Sequence, residues 1–89
     1  MVKKTLTIEN KLGLHARAAA EFVKQASRFT SSIQVACNGQ IADGKSIMSI
    51  MMLAAVRGTG IDLTIDGEDE LDAMAALEAL VGDRFGEDE

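Results

Sequence analysis

Apolar and polar residues change period several times along the chain, and each change marks an element. Val2, Lys4, Leu6 and Ile8 share one face at a period of two, with Thr5 and Thr7 on the other, which predicts an opening strand. Asn10, Lys11, Leu12 and Gly13 interrupt the alternation as a loop. Between Ala16 and Ser27 the period becomes helical: Ala18, Ala19, Phe22, Val23 and Ala26 line one side, and Arg17, Glu21, Lys24 and Gln25 the other. Ile33, Val35 and Cys37 then alternate with Gln34 and Ala36 and run into Asn38-Gly39. That pair favours a type I′ turn, whose two central residues take positive φ, so a hairpin returning through Gln40 and Ile41 is expected.

Asp43-Gly44-Lys45-Ser46 punctuates the chain before a run that is apolar on nearly every side, Ile47 to Leu53. Ser46 is a good N-cap, and the run continues into Ala54 and Ala55, so a second helix ending before Gly58-Thr59-Gly60 is predicted. Ile61, Leu63 and Ile65 alternate with Asp62, Thr64 and Asp66 as a half-buried strand closed by Gly67. Glu68, Asp69 and Glu70 place negative charge where the dipole of a last helix favours it. The expected buried stripe of that helix is Leu71, Met74, Leu77, Leu80 and Val81, with Gly82 as C-cap and an acidic tail, about 83–89, that is expected to fray. The order is strand, helix, strand, strand, helix, strand, helix. One apolar face per strand implies an α+β domain, an antiparallel sheet covered by helices on one side. Periodicity leaves the strand order open, and the first six elements also suit a ferredoxin-like split arrangement.

Composition narrows the function. The chain has 89 residues, 47% of them apolar, which suits one small domain over 1–89 with no room for a deep enclosed site. Its formal net charge of −5 argues against a general nucleic-acid binder, which needs surplus Lys and Arg. The charge is also segregated: residues 1–45 carry a balance of +4 and residues 46–89 one of −9. The basic half would attract acidic partner surfaces. Cys37 is the only cysteine, so no internal disulfide is available and a reducing cytoplasm is the expected setting. Neither a signal peptide nor a membrane span is recognisable, and no membrane insertion is expected.

His15, the only histidine, directly precedes the first predicted helix in Gly13-Leu14-His15-Ala16-Arg17. A side chain there stands beside the free amides of the first turn, which with the helix dipole form an anion site. A neutral imidazole nitrogen is a competent nucleophile near pH 7. A phosphoryl group on it would meet the amides of Ala16, Arg17 and Ala18, and the Arg17 guanidinium would add charge-assisted bonds. The bland alternative is an exposed loop histidine without a role.

Leu12-Gly13-Leu14-His15-Ala16-Arg17-Ala18, together with Gly44-Lys45-Ser46-Ile47-Met48, closely resembles the histidine-containing phosphocarrier (HPr) family of the bacterial phosphotransferase system. The resemblance covers nearly the whole chain and implies an open-faced β-sandwich: a four-stranded antiparallel sheet in the order 1-4-2-3 with three helices on one face. It implies a phosphocarrier whose histidine, here His15, accepts a phosphoryl group on Nδ1 from phospho-enzyme I and passes it to an enzyme IIA, with Arg17 assisting. Such a carrier is covalently modified rather than a stand-alone enzyme, and it needs no cofactor or metal. Ser46 matches a serine modified in many bacteria by an HPr kinase/phosphorylase, and it is equally an ordinary N-cap. By the same resemblance Ile47, Met48 and Met51 join Arg17, Ala20 and Lys24 in the surface that meets enzyme I and enzyme IIA, while Ile50 and Leu53 face the core.

Many sugar-branch members have proline where this chain has Ala18. Alanine fits the same first-turn conformation, at a cost in rigidity of about 0.4–1 kcal/mol. Alanine here, with the acidic tail, resembles relatives that serve the nitrogen-related branch. Cys37 reads as a buried strand residue rather than a ligand, because no second Cys or His accompanies it. A monomer is expected. Two other classes stay open: a purely regulatory binding module acting through Ser46 and the Met48/Met51 surface, and a ferredoxin-like nucleic-acid or metal module. The latter lacks both sheet-face aromatics and ligand clusters.

Overall fold

The computed structural model describes residues 1–89. Its elements are β1 (Val2–Thr7), α1 (Ala16–Ala26), β2 (Ser32–Cys37), β3 (Gln40–Asp43), α2 (Ile47–Met52), β4 (Gly60–Asp66) and α3 (Glu70–Gly82), followed by one 3₁₀ turn, Arg84–Gly86. The four strands form a single antiparallel sheet in the order β1-β4-β2-β3, the arrangement implied by the resemblance. Register follows the alternation. Val2 lies opposite Ile65, Leu6 opposite Ile61, and Val35 opposite Leu63, so one face gathers the apolar residues of β1, β2 and β4 with Ala42 of β3, while Ile41 of β3 is 70% exposed. The helices pack on that face. Phe22 of α1, Ile50 of α2 and Leu77 of α3 are each buried to within 1% of complete and meet Ile33, Val35, Ile61, Leu63 and Ile65 in one core. The β2–β3 hairpin turns through Asn38 (φ 52°) and Gly39 (φ 79°), as the Asn-Gly pair requires.

Three expectations need correction. The second helix stops at Met52 instead of continuing through Ala54 and Ala55. The Leu53 and Ala54 N–H groups bond the carbonyls of Ile50 and Met51, a tightened last turn, and Ala54 takes a left-handed φ of 51°. Leu71 is 71% exposed; the buried stripe of α3 is instead Ala73, Met74, Leu77 and Val81, with Leu80 half-buried. Gly82 is the last residue of α3 rather than its cap, which is Asp83. Lys4 shares the inward register of β1 yet stays exposed, because β1 is an edge strand and the Lys4 Nζ reaches Glu78 of α3 at 2.6 Å.

The largest departure is the tail. Phe85, with only 2% of its surface exposed, is a core member, and the 3₁₀ turn that carries it packs against α3 and α1. Arg84 and Phe85 both take positive φ, at 55° and 56°. That backbone is unfavourable for these residues, and burial of the Phe85 ring offsets it. The tail is therefore folded back over the start of α1.

Candidate functional site

The approach to His15 is built by a tight loop. Gly13 takes a φ of +67° and lies against the 53–56 segment, where a Cβ would overlap the Ala55 carbonyl oxygen. The next residue, Leu14, donates its N–H to that oxygen at 2.9 Å. Asn10, wholly buried, donates through Nδ2 to the Gly13 carbonyl at 2.8 Å. These bonds fix the chain direction just before α1. His15 follows as the N-cap of α1 in an extended conformation (φ −72°, ψ 178°), and its side chain makes no capping bond. The first intrahelical bond runs from Ala19 N–H to the His15 carbonyl at 2.8 Å. The amides of Ala16, Arg17 and Ala18 thus precede the hydrogen-bond ladder of the helix and have no acceptor within the chain.

The His15 side chain is 30% exposed, and its Nε2 lies 2.6 Å from Glu87 Oε2. Glu87 is only 11% exposed, and its other oxygen accepts from Asn10 Nδ2 at 3.0 Å. Arg17, 61% exposed, brings Nη1 to 3.8 Å from the same Glu87 Oε2. Burial acts to raise the Glu87 carboxyl, but the hydrogen bonds from His15 and Asn10, with the charges of His15 and Arg17, outweigh it, and the group is held below its ordinary value. Lys11 secures the chain end, donating its N–H to the Glu89 carbonyl at 2.6 Å and placing Nζ 3.3 Å from the Glu89 carboxylate. Together Lys11, Leu12, His15, Arg17, Glu87, Asp88 and Glu89 line an open groove of about 520 Å³.

This arrangement corrects the reading of the charge split, which is sequential and not spatial. Three carboxylates of the acidic half sit in the groove of the basic half, beside His15, Arg17 and Lys11. Lys45, the last cation of the basic half, donates to the Phe29 carbonyl at 2.7 Å. Arg17, Lys24 and Arg28 remain exposed on or next to α1.

Ser46 caps α2, its Oγ accepting from Ser49 N–H at 3.3 Å. Of the α2 side chains only Ile50 is buried, while Ile47, Met48, Met51 and Met52 stand exposed, and Leu53 just beyond is buried. The helix is too short and too peripheral to turn more than one face inward. α2 packs beside α1, on which Ala20 is half-buried and Lys24 exposed. Arg17 stands in the first turn of α1 next to His15 and Lys24 in its last turn, while the segment after α2 meets the loop before His15 at Gly13. Leu12 and Val56, 65% and 63% exposed, extend the apolar surface. Cys37 is buried, and its burial, with the charge of Asp62, pushes the thiol up. No group of three or more His, Cys, Asp or Glu side chains converges as a metal site.

Sequence reasoning missed two residues of this site. Asn10 falls in a loop by sequence, and only the fold shows it buried, where its amide must find partners and takes Gly13 and Glu87. Glu87 carries no periodic signal, because its place depends on the burial of Phe85 two residues earlier.

Residues 2–83 match the family model for the PTS HPr component phosphorylation site. The chain is 52% identical to the phosphocarrier protein HPr of Neisseria meningitidis serogroup B over all 89 residues, covering both chains fully. It is 51% identical to that of Cupriavidus necator, again over the whole of both. Among solved structures, HPr-C-His from Thermoanaerobacter tengcongensis superposes with a TM-score of 0.95 at 44% identity, covering each chain completely. Identity across the whole length, the 1-4-2-3 sheet and a histidine at the head of α1 agree: the chain belongs to the HPr family, the phosphocarriers of the phosphotransferase system, which take a phosphoryl group from enzyme I and hand it to an enzyme IIA.

Proposed function

We propose that His15 is the residue that carries the phosphoryl group. The observation that supports this is an imidazole at an extended N-cap, next to three amides without acceptors, with Nδ1 making no bond within the chain. The Nδ1 lone pair attacks phosphorus as the donor's P–N bond breaks and its electron pair returns to the donor ring. The amides of Ala16, Arg17 and Ala18 and the Arg17 guanidinium then meet the anion. The groove is shallow, so the phosphoryl group is stabilised only moderately and can leave for the next histidine. Arg17, Ala20, Lys24, Ile47, Met48 and Met51 serve as the docking surface for enzyme I and enzyme IIA in turn, its methionines adapting to each partner. A reducing cytoplasm suits the free Cys37 thiol.

Ser46 is a candidate regulatory position. A phosphate there would be tolerated by the helix it caps and would place negative charge inside the docking surface. Assignment to the nitrogen-related branch rests on Ala18 and on the acidic tail. Faster transfer to a nitrogen-branch IIA than to a sugar-branch IIA supports it, and the reverse order overturns it.

The central experiment is incubation with phosphoenolpyruvate and enzyme I, followed by mass analysis. One acid-labile phosphoryl adduct is expected, absent from His15→Ala. No adduct on the wild type, or an adduct that survives in His15→Ala, overturns the assignment.

A further inference from the structure

Residues 84–89 lie beyond residues 2–83, the part that the family model matches, yet Glu87 among them reaches His15. Glu87 is placed there by several independent contacts. Phe85 anchors the turn in the core, Asn10 Nδ2 holds one carboxylate oxygen at 3.0 Å, and Lys11 ties down Glu89 two residues later. The second oxygen meets His15 Nε2 at 2.6 Å, a short contact of the kind made when the acceptor is charged. A carboxylate can only accept, so the nitrogen facing it must carry the proton. In the neutral ring this leaves Nδ1 deprotonated, with its lone pair free.

We infer that Glu87 is a positioning residue for phosphoryl transfer: it holds the His15 ring in the tautomer protonated at Nε2, so that Nδ1 is the nucleophile, and it balances the positive charge that the ring gains on phosphorylation. The inference rests on the reading of His15 as the phosphoryl carrier. As Nδ1 forms its bond to phosphorus and the donor's P–N bond breaks, no proton leaves His15. Its Nε2–H stays in place, and the ring becomes cationic beside the Glu87 carboxylate. When the group moves on to an acceptor histidine, the P–N pair returns to Nδ1 and the ring is again neutral. A carboxylate that orients an imidazole and stabilises its cation performs the same task in hydrolytic triads. Asn10 is the second tie in this arrangement, since its one amide group bonds both the Gly13 carbonyl before His15 and the carboxylate behind it.

Two substitutions separate the orienting role from the charge. Glu87→Gln keeps an oxygen that can accept from Nε2 but removes the charge, and Glu87→Ala removes both. Nitrogen-15 NMR of the imidazole at a pH where the ring is neutral is expected to show the Nε2–H tautomer in the wild type and in Glu87→Gln, and a mixture in Glu87→Ala. Phosphoryl acceptance from phospho-enzyme I is expected to slow about three- to tenfold in both variants, the range open to a partly exposed charge-assisted pair, with Glu87→Asp recovering part of the rate. Unchanged tautomer and unchanged rate in Glu87→Ala overturn the inference while the His15 assignment stands. A phosphoryl adduct that persists in His15→Ala overturns that assignment instead, whatever the tautomer measurement shows.

Discussion

Gly13 lies against Ala55 so closely that a Cβ would overlap the Ala55 carbonyl oxygen, the same oxygen that accepts from Leu14 N–H at 2.9 Å. The loop before His15 and the segment after α2 are thereby joined through one carbonyl. The histidine and the methionine-bearing helix are consequently held in fixed relation, although 32 to 36 residues of chain separate His15 from Ile47 and Met51.

Gly13→Ala is accordingly expected to act twice. The positive φ alone costs about 1–2 kcal/mol for a residue with a Cβ, and the overlap with backbone adds to it. Urea unfolding should register the loss, and the His15 ring signals should shift because the loop must move. A variant as stable as the wild type, with unchanged ring signals, would show that the loop is looser than its bonds indicate.

Asp69 ties the α1–β2 loop to α3. Its carboxylate accepts from the Ser31 hydroxyl, from Thr30 N–H at 2.9 Å and from Ser31 N–H at 3.0 Å. The Ser31 hydroxyl bond, followed by the Thr30 amide bond, holds its carboxyl down at about 2, below the ordinary 3.8. The folded state therefore binds this proton less readily than the unfolded chain does. Its contribution is complete above pH 3.8 and is lost as pH falls towards 2. In Asp69→Asn the urea midpoint should fall less steeply across that window than in the wild type. Parallel acid limbs would count against the role.

Ser46 joins capping to a surface position, and the two should separate on substitution. Ser46→Ala removes the acceptor for Ser49 N–H and is expected to cost about 0.5–1 kcal/mol while leaving transfer from enzyme I intact. Ser46→Asp keeps a capping oxygen and adds charge, so stability should hold while transfer slows. Equal transfer rates for both variants would remove the regulatory reading.

Met48, 69% exposed, offers a cleaner test of the docking surface. Met48→Glu should change stability by less than about 0.5 kcal/mol, as for most exposed positions, and should slow acceptance from phospho-enzyme I. Wild-type acceptance rates in this variant would place the partner elsewhere on the molecule.

Raising ionic strength should slow acceptance, because the exposed charges of Arg17, Lys24 and Arg28 act over a Debye length that shrinks from about 10 Å at 0.1 M salt to about 3 Å at 1 M. The carboxylates of Glu87, Asp88 and Glu89 share the groove with Arg17 and oppose this attraction, so Asp88→Asn should steepen the salt dependence. A rate insensitive to salt would exclude steering.

Much of this architecture is legible along the chain. The alternations through Ile33, Val35 and Cys37 and through Ile61, Leu63 and Ile65 place the strands, Asn38-Gly39 places the hairpin, and the stripe through Ala18, Ala19, Phe22 and Ala26 orients α1. Each is a local matter, since repeating backbone geometry sends every second or every third to fourth side chain to the same side. His15 is legible for the same reason, because its place at the head of a helix follows from its neighbours.

What the pattern could not contain is set by partners distant in the chain. Leu71 fits a helical period and is exposed, because the face of α3 that meets the core is the one through Ala73, Met74, Leu77 and Val81. Glu87 reaches His15 across 72 residues only because Phe85 finds room between α1 and α3, and one buried ring leaves no periodic trace in an acidic tail. The sequence by itself determined the elements, the place of His15 at the head of a helix and the family to which the chain belongs. The tertiary structure alone decided that two segments of opposite charge would close on the same groove, because burial depends on which surfaces meet and not on the order in which residues are joined.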